Sequence, residues 1–369
     1  MNDADLLDLH RRIVAIPSPS KSETEVLEFL ETYLAGRGVA VERLGRNIVA
    51  RLGRGPYLCL NSHVDTVPAS PRWTRAPHDV RVESGRVFGL GSNDAKASVA
   101  AMLAAFLRLQ AAPEGTPSVM LMLVCDEETG GQGTEFVLPE LARRGERIAA
   151  AVIGEPTGLD IAVAQKGLMV LELLATGRAC HAAHARALGA ANAIRELARD
   201  VVALEGLEFE DDADLGPTTL EPTLLTAGTA KNMVPAEAVC TVDVRTNPAP
   251  GHEAVVAAVR ERVRASVRVV STRLKAKGTA QSEAVVRAAT TARPEARLFG
   301  SRGLSDWVFF DGIPAVKVGP GATERSHTAD EFVYESEVIE GARFYEALAR
   351  RYAGLGEGEK SHDAALGSR

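Results

Sequence analysis

Two short apolar runs constrain this chain more than any other feature in it. Residues 119–125 read VMLMLVC and residues 149–153 read AAAVI. They have the length of a strand rather than a helix, and nearly continuous runs of this kind mark strands covered on both faces inside an α/β sheet. Each run ends in acid, since DEE follows the first and GEP the second. A third segment, YLCLNSHVD at 57–65, repeats the pattern of apolar strand followed by polar residues. Open α/β sheets build their sites where loops leave the carboxyl ends of strands. Three such endings predict one reactive rim.

Around these strands, Leu6, Leu9, Ile13 and Val14, then Val26, Leu27, Leu30 and Leu34, recur at helical spacing and predict two helices separated by Pro17-Ser18-Pro19-Ser20. Asn47–Leu52 reads as a strand, and residues 98–109, dense in Ala and Leu without a breaker, read as a helix. From Leu168 the texture changes to strand-like LMVLELLATG, a helix over 190–204, strand-like TLLTAG and AVCTVDVRT, and a helix over 252–267. That β-α-β-β-α order suits a small α+β two-layer sandwich. The expected organisation is a catalytic domain in two parts, 1–167 and 277–369, with an inserted domain over 168–276. Helical texture returns at 280–292, AVKV at 315–318 reads as a short buried strand, 336–351 as a closing helix, and the tail from Ala353 is expected to fray.

At 369 residues the chain exceeds the commonest single-domain size of about 100–150, which agrees with two lobes. Its 42 basic and 49 acidic residues leave a net charge of −7, a balance that disfavours a broad surface for phosphate backbones. No run approaches the ~18 apolar residues of a membrane span, and the acidic, amphipathic MNDADLLDLHRR does not resemble a signal peptide. These features predict a cytoplasmic protein with neither nucleic acid nor membrane as partner. Cys59, Cys125, Cys180 and Cys240 lack the close pairs of a structural zinc knot and read as free thiols.

His63 and Asp65 alternate at the end of a strand, where a carboxylate can accept the second ring N–H of a metal-bound imidazole and fix its tautomer. A loop histidine satisfied by its neighbours is the competing reading, and Asp94, just before a helix, competes as an N-cap. Asp126-Glu127-Glu128 place three carboxylates together, which repel unless a cation or proton offsets them; a solvated acidic loop is the alternative. With Glu155 and His327 these residues make an N/O donor set suited to zinc or a related divalent ion without thiolates.

The chain resembles the M20 family of metallo-amidohydrolases over nearly its whole length. The motifs that carry the resemblance are NSHVDTVP at 61–68, GLGSNDAKAS at 89–98, DEETGGQGT at 126–134, IGEPT at 153–157, QKG at 165–167 and SHTADEF at 326–332. The likeness implies a mixed-sheet, zinc-peptidase-like catalytic domain with an inserted lid and dimerisation domain. It implies that His63 and Glu155 bind one metal, Glu128 and His327 the other, and that Asp94 bridges them. Two Zn2+ per chain are implied, with Co2+ or Mn2+ as alternatives. Glu127 is implied as the general base that takes a proton from water and returns it to the leaving amine.

In the inserted domain, the resemblance implies that His181 stabilises the tetrahedral oxyanion, commonly across a homodimer, and that Asn232 and Arg245 handle the substrate's polar end. A surface histidine and an ordinary strand-end arginine are the competing readings. The chain departs from the family pattern at Cys180, where Gly is frequent, at Ala95-Lys96-Ala97, where Met-Lys-Gly is frequent, and at Leu304, where a hydroxyl residue is common. Residues 181–194 and 303–321 look closest to acetylornithine deacetylase-like members. The expected reaction is hydrolysis of N-acetyl-L-ornithine in arginine biosynthesis. Acetylcitrulline deacetylase, succinyl-diaminopimelate desuccinylase and carrier-protein lysine hydrolase are alternatives, as is a catalytically silent binding protein.

Overall fold

The strand Tyr57–His63 is buried along its whole length and sits inside a mixed sheet. The structure is a computed structural model that describes residues 1–112 and 117–366, with side chains as far as Leu355. The chain forms two compact units, one of Met1–Val163, Thr279–Phe299 and Ser305–Arg369, the other of Ala164–Gly278 with Gly300–Leu304.

In the first unit the strand order is Val41–Leu44, Asn47–Leu52, Val119–Val124, Tyr57–His63, Ile148–Ile153, Ala315–Lys317 and Ile161–Gln165. Tyr57–His63 runs parallel to both neighbours, with His63 beside Val124 and Asn61 beside Ile153. The acids that follow those neighbours therefore leave the sheet at the rim where His63 ends. Alternation explains why the runs are apolar throughout. Leu121 and Leu123 point into a core shared with the helices Asp3–Ala15, Lys96–Gln110, Ala284–Ala292 and Glu335–Leu366. Met120, Met122 and Val124 point into a second core with Val137, Trp307 and Phe310.

The helix Lys96–Gln110 is buried nearly all round, which its Ala-rich sequence permits. Its N-cap position belongs to Ala95, without a side-chain cap, so Asp94 is not spent on capping. The closing helix runs Glu335–Leu366, past Ala353 where fraying was expected; residues 367–369 lie outside the described residues.

In the second unit an antiparallel sheet has the order Thr219–Ala227, Glu237–Thr246, Gly167–Thr176 and Ser266–Leu274. The helices Ala193–Leu204 and His252–Arg262 pack on one face. Two expectations need correction. The helix predicted to reach 267 ends at Arg262, and Ser266–Leu274, alternating and β-branched, pairs with Gly167–Thr176 as a fourth strand. The second unit also starts at Ala164, ends at Gly278 and takes in Gly300–Leu304, rather than spanning 168–276.

All four cysteines are free thiols. Among the described residues no helix is long and apolar enough to cross a membrane.

Helix Asp3–Ala15 carries one buried base. His10 Nε2 donates to Ser92 O at 2.9 Å, and Nδ1 has no partner among the described residues. Burial pushes its pKa from 6.5 down to about 4, the Ser92 carbonyl opposing that shift and Lys96 and Arg11 adding to it. The folded state thus favours the neutral ring: its contribution is fully present above 6.5 and is lost as pH falls through about 4. Relative to His10→Gln, the wild type should lose stability on the order of 3 kcal/mol over that interval. Thermal or denaturant unfolding of both proteins at several pH values and fixed ionic strength checks this; a constant difference between them would refute it.

Candidate active site

The rim of the first unit gathers the predicted ligands. His63 is the last residue of its strand, Glu127 and Glu128 lie in the turn Glu127–Thr129, and Glu155 follows Ile148–Ile153. His63 Nε2 lies 3.3 Å from Asp94 Oδ1 and 3.9 Å from Glu155 Oε1. His327 Nε2 lies 3.0 Å from Glu128 Oε1 and 3.6 Å from Asp94 Oδ2. Asp94 therefore presents one oxygen to each histidine. Donor atoms of His63, Asp94 and Glu128 all fall within 4.8 Å of one another.

The donor chemistry fits divalent cations. Two imidazoles and three carboxylates make an N/O set, and the twofold presentation of Asp94 divides it into His63 with Glu155 and His327 with Glu128. The Glu127 carboxylate takes part in none of these pairs. Burial, Glu155, Asp306 and Glu128 hold Glu127 well above the usual carboxylate range against the opposing pull of His63. Burial also pushes Glu155 up to about 8, with His63 opposing and Asp94 reinforcing.

Asp65 does more than its spacing foretold. Its carboxylate lies 3.4 Å from His63 Nδ1, which is closer, at 3.0 Å, to the Asp65 carbonyl oxygen. The same carboxylate accepts from Ser20 Oγ at 2.7 Å, Glu127 N at 3.1 Å and Glu128 N at 3.2 Å. One side chain thus orients the His63 ring and holds the turn that carries the next two acids. Burial pushes the Asp65 carboxyl up, but the His63, Ser20 and Glu127 contacts outweigh it and keep it below its ordinary value.

Other residues at this rim escaped the sequence reading. Lys317, in the strand Ala315–Lys317, is buried in the field of Glu155, Glu127 and Asp94; burial lowers its pKa and those acids oppose the shift. An ammonium inside an apolar run was the available signal. Asp306 accepts from Thr134 Oγ1 at 2.7 Å, its other oxygen has no partner among the described residues, and burial raises its pKa to about 7. Gly131, at φ +74°, leaves no room for a Cβ, which would meet Phe309 at 2.2 Å. That close approach lets the turn after Glu128 pack against the segment Asp306–Phe309.

Beneath Glu127, Arg46 bridges the buried carboxylates of Glu23 and Asp126. Glu23 Oε1 also accepts from Lys21 N and Asp126 N. The guanidinium therefore already offsets one of the two negative charges in the cluster of Glu23, Cys125 and Asp126.

His181, Asn232 and Arg245 belong to the second unit. His181 is exposed and pairs in register with Met233, while Asn232 O accepts from Ala182 N at 2.9 Å, so these two positions adjoin. Arg245, near the end of Glu237–Thr246, turns its fork onto Asp243 at 2.8 and 3.2 Å. The free bidentate fork expected of Arg245 is thus occupied by a neighbour two residues away.

A mixed α/β sheet whose rim gathers two imidazoles, the carboxylates paired with them and one carboxylate outside those pairs has the donor set of a metal-dependent amidohydrolase. The chain belongs to peptidase family M20/M25/M40, whose model matches residues 59–351. Over 94% of its length it is 29% identical to the succinyl-diaminopimelate desuccinylase of Phenylobacterium zucineum, covering 98% of that protein, and 31% identical to that of Rhodospirillum centenum, covering 97%. Among solved structures, aminopeptidase PepT from Bacillus cereus aligns over 96% of this chain and 99% of its own, with a TM-score of 0.79 at 22% identity. A dinuclear metal-binding M20 peptidase from Bacillus subtilis aligns over 94% and 97%, with a TM-score of 0.73 at 18% identity. Likeness at these identities establishes the fold.

Replacing Arg46 by Met should leave two buried carboxylates without their cation, at a cost of about 3–5 kcal/mol. Adding Glu23→Gln should recover part of that loss. Unfolding midpoints of the single and double variants check this, and equal midpoints for wild type and Arg46→Met would show that the triad does not stabilise the fold.

Proposed function

We propose that the protein hydrolyses the amide bond of an N-acyl amino acid with a pair of divalent ions, zinc foremost, held by His63 and Glu155 on one side and by Glu128 and His327 on the other, with Asp94 between. The observation that carries this reading is the double presentation of Asp94, one oxygen toward each histidine. When bound, such ions acidify a water molecule and polarise the scissile carbonyl. Glu127 accepts the proton that water gives up as its oxygen joins the carbonyl carbon. It then delivers that proton to the nitrogen as the C–N bond breaks. Its raised pKa suits the role, because a carboxyl that is neither strongly acidic nor permanently charged can both take and return a proton. Asp65 keeps the His63 ring and the Glu127 amide in place throughout.

For the substrate, the curated relatives named succinyl-diaminopimelate desuccinylases favour an acidic acyl amino acid. The surroundings of Arg245 support the same preference. Lys166, whose N–H donates to Ser301 O at 3.0 Å, is buried, and its pKa is lowered by that burial and by Arg302 and Arg245, with Asp211 opposing. The cations of Lys166 and Arg302, beside an Arg245 already paired with Asp243, attract a carboxylate and repel ornithine's ammonium. Acetylornithine, the reaction expected from the sequence on the likeness of residues 181–194 and 303–321, becomes the second reading. The protein acts in this reading as a cytoplasmic homodimer joined through the inserted domain, with His181 stabilising the oxyanion and Asn232 and Arg245 holding the polar end of the substrate.

Metal-loaded protein should hydrolyse at least one of N-succinyl-diaminopimelate, N-acetylornithine, N-acetylcitrulline and N-acetyllysine, and a chelator should abolish that activity. Failure on every amide would overturn the reading. Glu127→Ala should keep wild-type metal content while turnover falls about 10²–10⁴-fold. Full activity in that variant would remove Glu127 from the mechanism. His181→Ala should lower kcat more than it raises KM, and mixing it with Glu127→Ala protein should restore part of the activity if the histidine serves the partner's site. Mixtures no more active than their components would place it within one chain.

A further inference from the structure

Two ligand-bearing loops of the first unit, 89–94 and 322–332, are stitched together by side chains that touch no proposed metal position. Glu331 is buried, and its carboxylate accepts three backbone amides of the other loop: Gly91 N at 3.1 Å on Oε2, and Asn93 N at 2.8 Å and Asp94 N at 2.9 Å on Oε1. Its own carbonyl oxygen accepts from Gly89 N at 3.1 Å and, more weakly, from Ser92 Oγ at 3.4 Å. Asn93 returns the grip. Its Oδ1 accepts from Ala322 N at 3.0 Å, while Nδ2 donates to Ala322 O at 3.1 Å and Ser326 Oγ at 3.3 Å.

We propose that Glu331 and Asn93 form a reciprocal clamp that sets the separation of Asp94 and His327, and through it the affinity of the second metal position. Asp94 immediately follows Asn93, and its own amide is held by Glu331. His327 immediately follows Ser326, which Asn93 contacts. Backbone strain at the histidine makes the clamp necessary. His327 sits at φ +59° and Asp330 at φ +55°, in the left-handed region that non-glycine residues, His and Asp more often than most, enter at a cost that surrounding contacts offset. Asp330 supplies a further anchor by accepting from Thr74 N at 3.0 Å and Arg75 N at 3.2 Å. With both loops fixed, His327 Nε2 is held 3.6 Å from Asp94 Oδ2. Both clamp residues are positioning residues, acting through the backbone of the groups they hold.

The inference rests on the reading of Asp94 and His327 as ligands, and Co2+ binding separates the two claims. In Glu331→Gln the side chain keeps its shape, but one acceptor oxygen becomes an NH2 facing amide donors. Asn93→Ala removes the opposite side of the clamp independently. Each variant should bind Co2+ about 10–100-fold more weakly at one of two sites in a competitive chelator titration, the range seen when outer partners of metal ligands are removed. The visible ligand-field bands of the Co2+ protein should also shift, although neither residue is a ligand. Glu331→Asp, which keeps two acceptor oxygens on a shorter arm, should give an intermediate affinity. A fall in unfolding temperature with Co2+ affinity and spectrum unchanged in both Glu331→Gln and Asn93→Ala would overturn the clamp while leaving the ligand reading in place. Wild-type protein that takes up no Co2+ would overturn both.

Discussion

Carboxylates gathered at a buried rim repel one another, and most of the arrangement around them answers that repulsion. Asp65, Asp94, Glu127, Glu128 and Glu155 crowd around one imidazole, with Asp306 close enough to add to the field on Glu127. In a medium of low effective dielectric such a group persists only with protons or cations among its members. The chain places three basic side chains among these acids: the Lys317 amine and the His63 and His327 rings, which can carry a proton there only when they bind no metal. His63 shows the balance most clearly: burial pulls its pKa down, yet its contacts with Asp65 and Asp94 and the field of Glu127 and Glu155 hold it well above the ordinary value. Asp94 presents one oxygen to each of the two histidines.

Holding like charges together requires loops that cannot relax apart. Asp65 holds the amides of Glu127 and Glu128, Glu331 holds those of Gly91, Asn93 and Asp94, and Arg46 pairs with Asp126 at the residue before Glu127. Asp126 and His327 both sit at positive φ, so the chain turns sharply at each, one buried against Arg46 and the other exposed beside Glu128. The buried strands beneath are what these loops are fastened to. Tyr57–His63 lies between two parallel neighbours in fixed register, and that register delivers His63, the Glu127–Thr129 turn and Glu155 to one edge.

Much of this was legible in the residues. Apolar runs of strand length announced the sheet, and the acids after them announced its rim. The donor types made an N/O set that needs no thiolate. The strand Ser266–Leu274 went unseen because valine and arginine after a helix satisfy helical and extended patterns alike, and only pairing with Gly167–Thr176 decides between them. The segment Gly300–Leu304 went unseen as part of the second unit because its contacts are with residues distant in sequence, such as Gly300 pressed against Asp214. Lys317 hid within AVKV, whose apolar neighbours advertised burial and nothing about charge. Arg245 was read for its fork, but the side chain two residues earlier on the same strand fills it.

By itself the sequence determined which chemistry was available: oxygen and nitrogen donors at strand ends, three adjacent acids after one strand, and two lobes of different texture. Local patterns carry that much because side-chain type, strand period and turn residues act over a few positions. Tertiary structure decided which donors lie together, that Asp94 faces both histidines, and that Asp65, Asn93 and Glu331 hold the loops at that spacing. Those choices rest on hydrogen bonds between residues far apart in the chain, with Glu331 more than two hundred positions from the amides it holds. No periodicity encodes such a distance; it exists only once the strands have paired and the cores on both faces have closed.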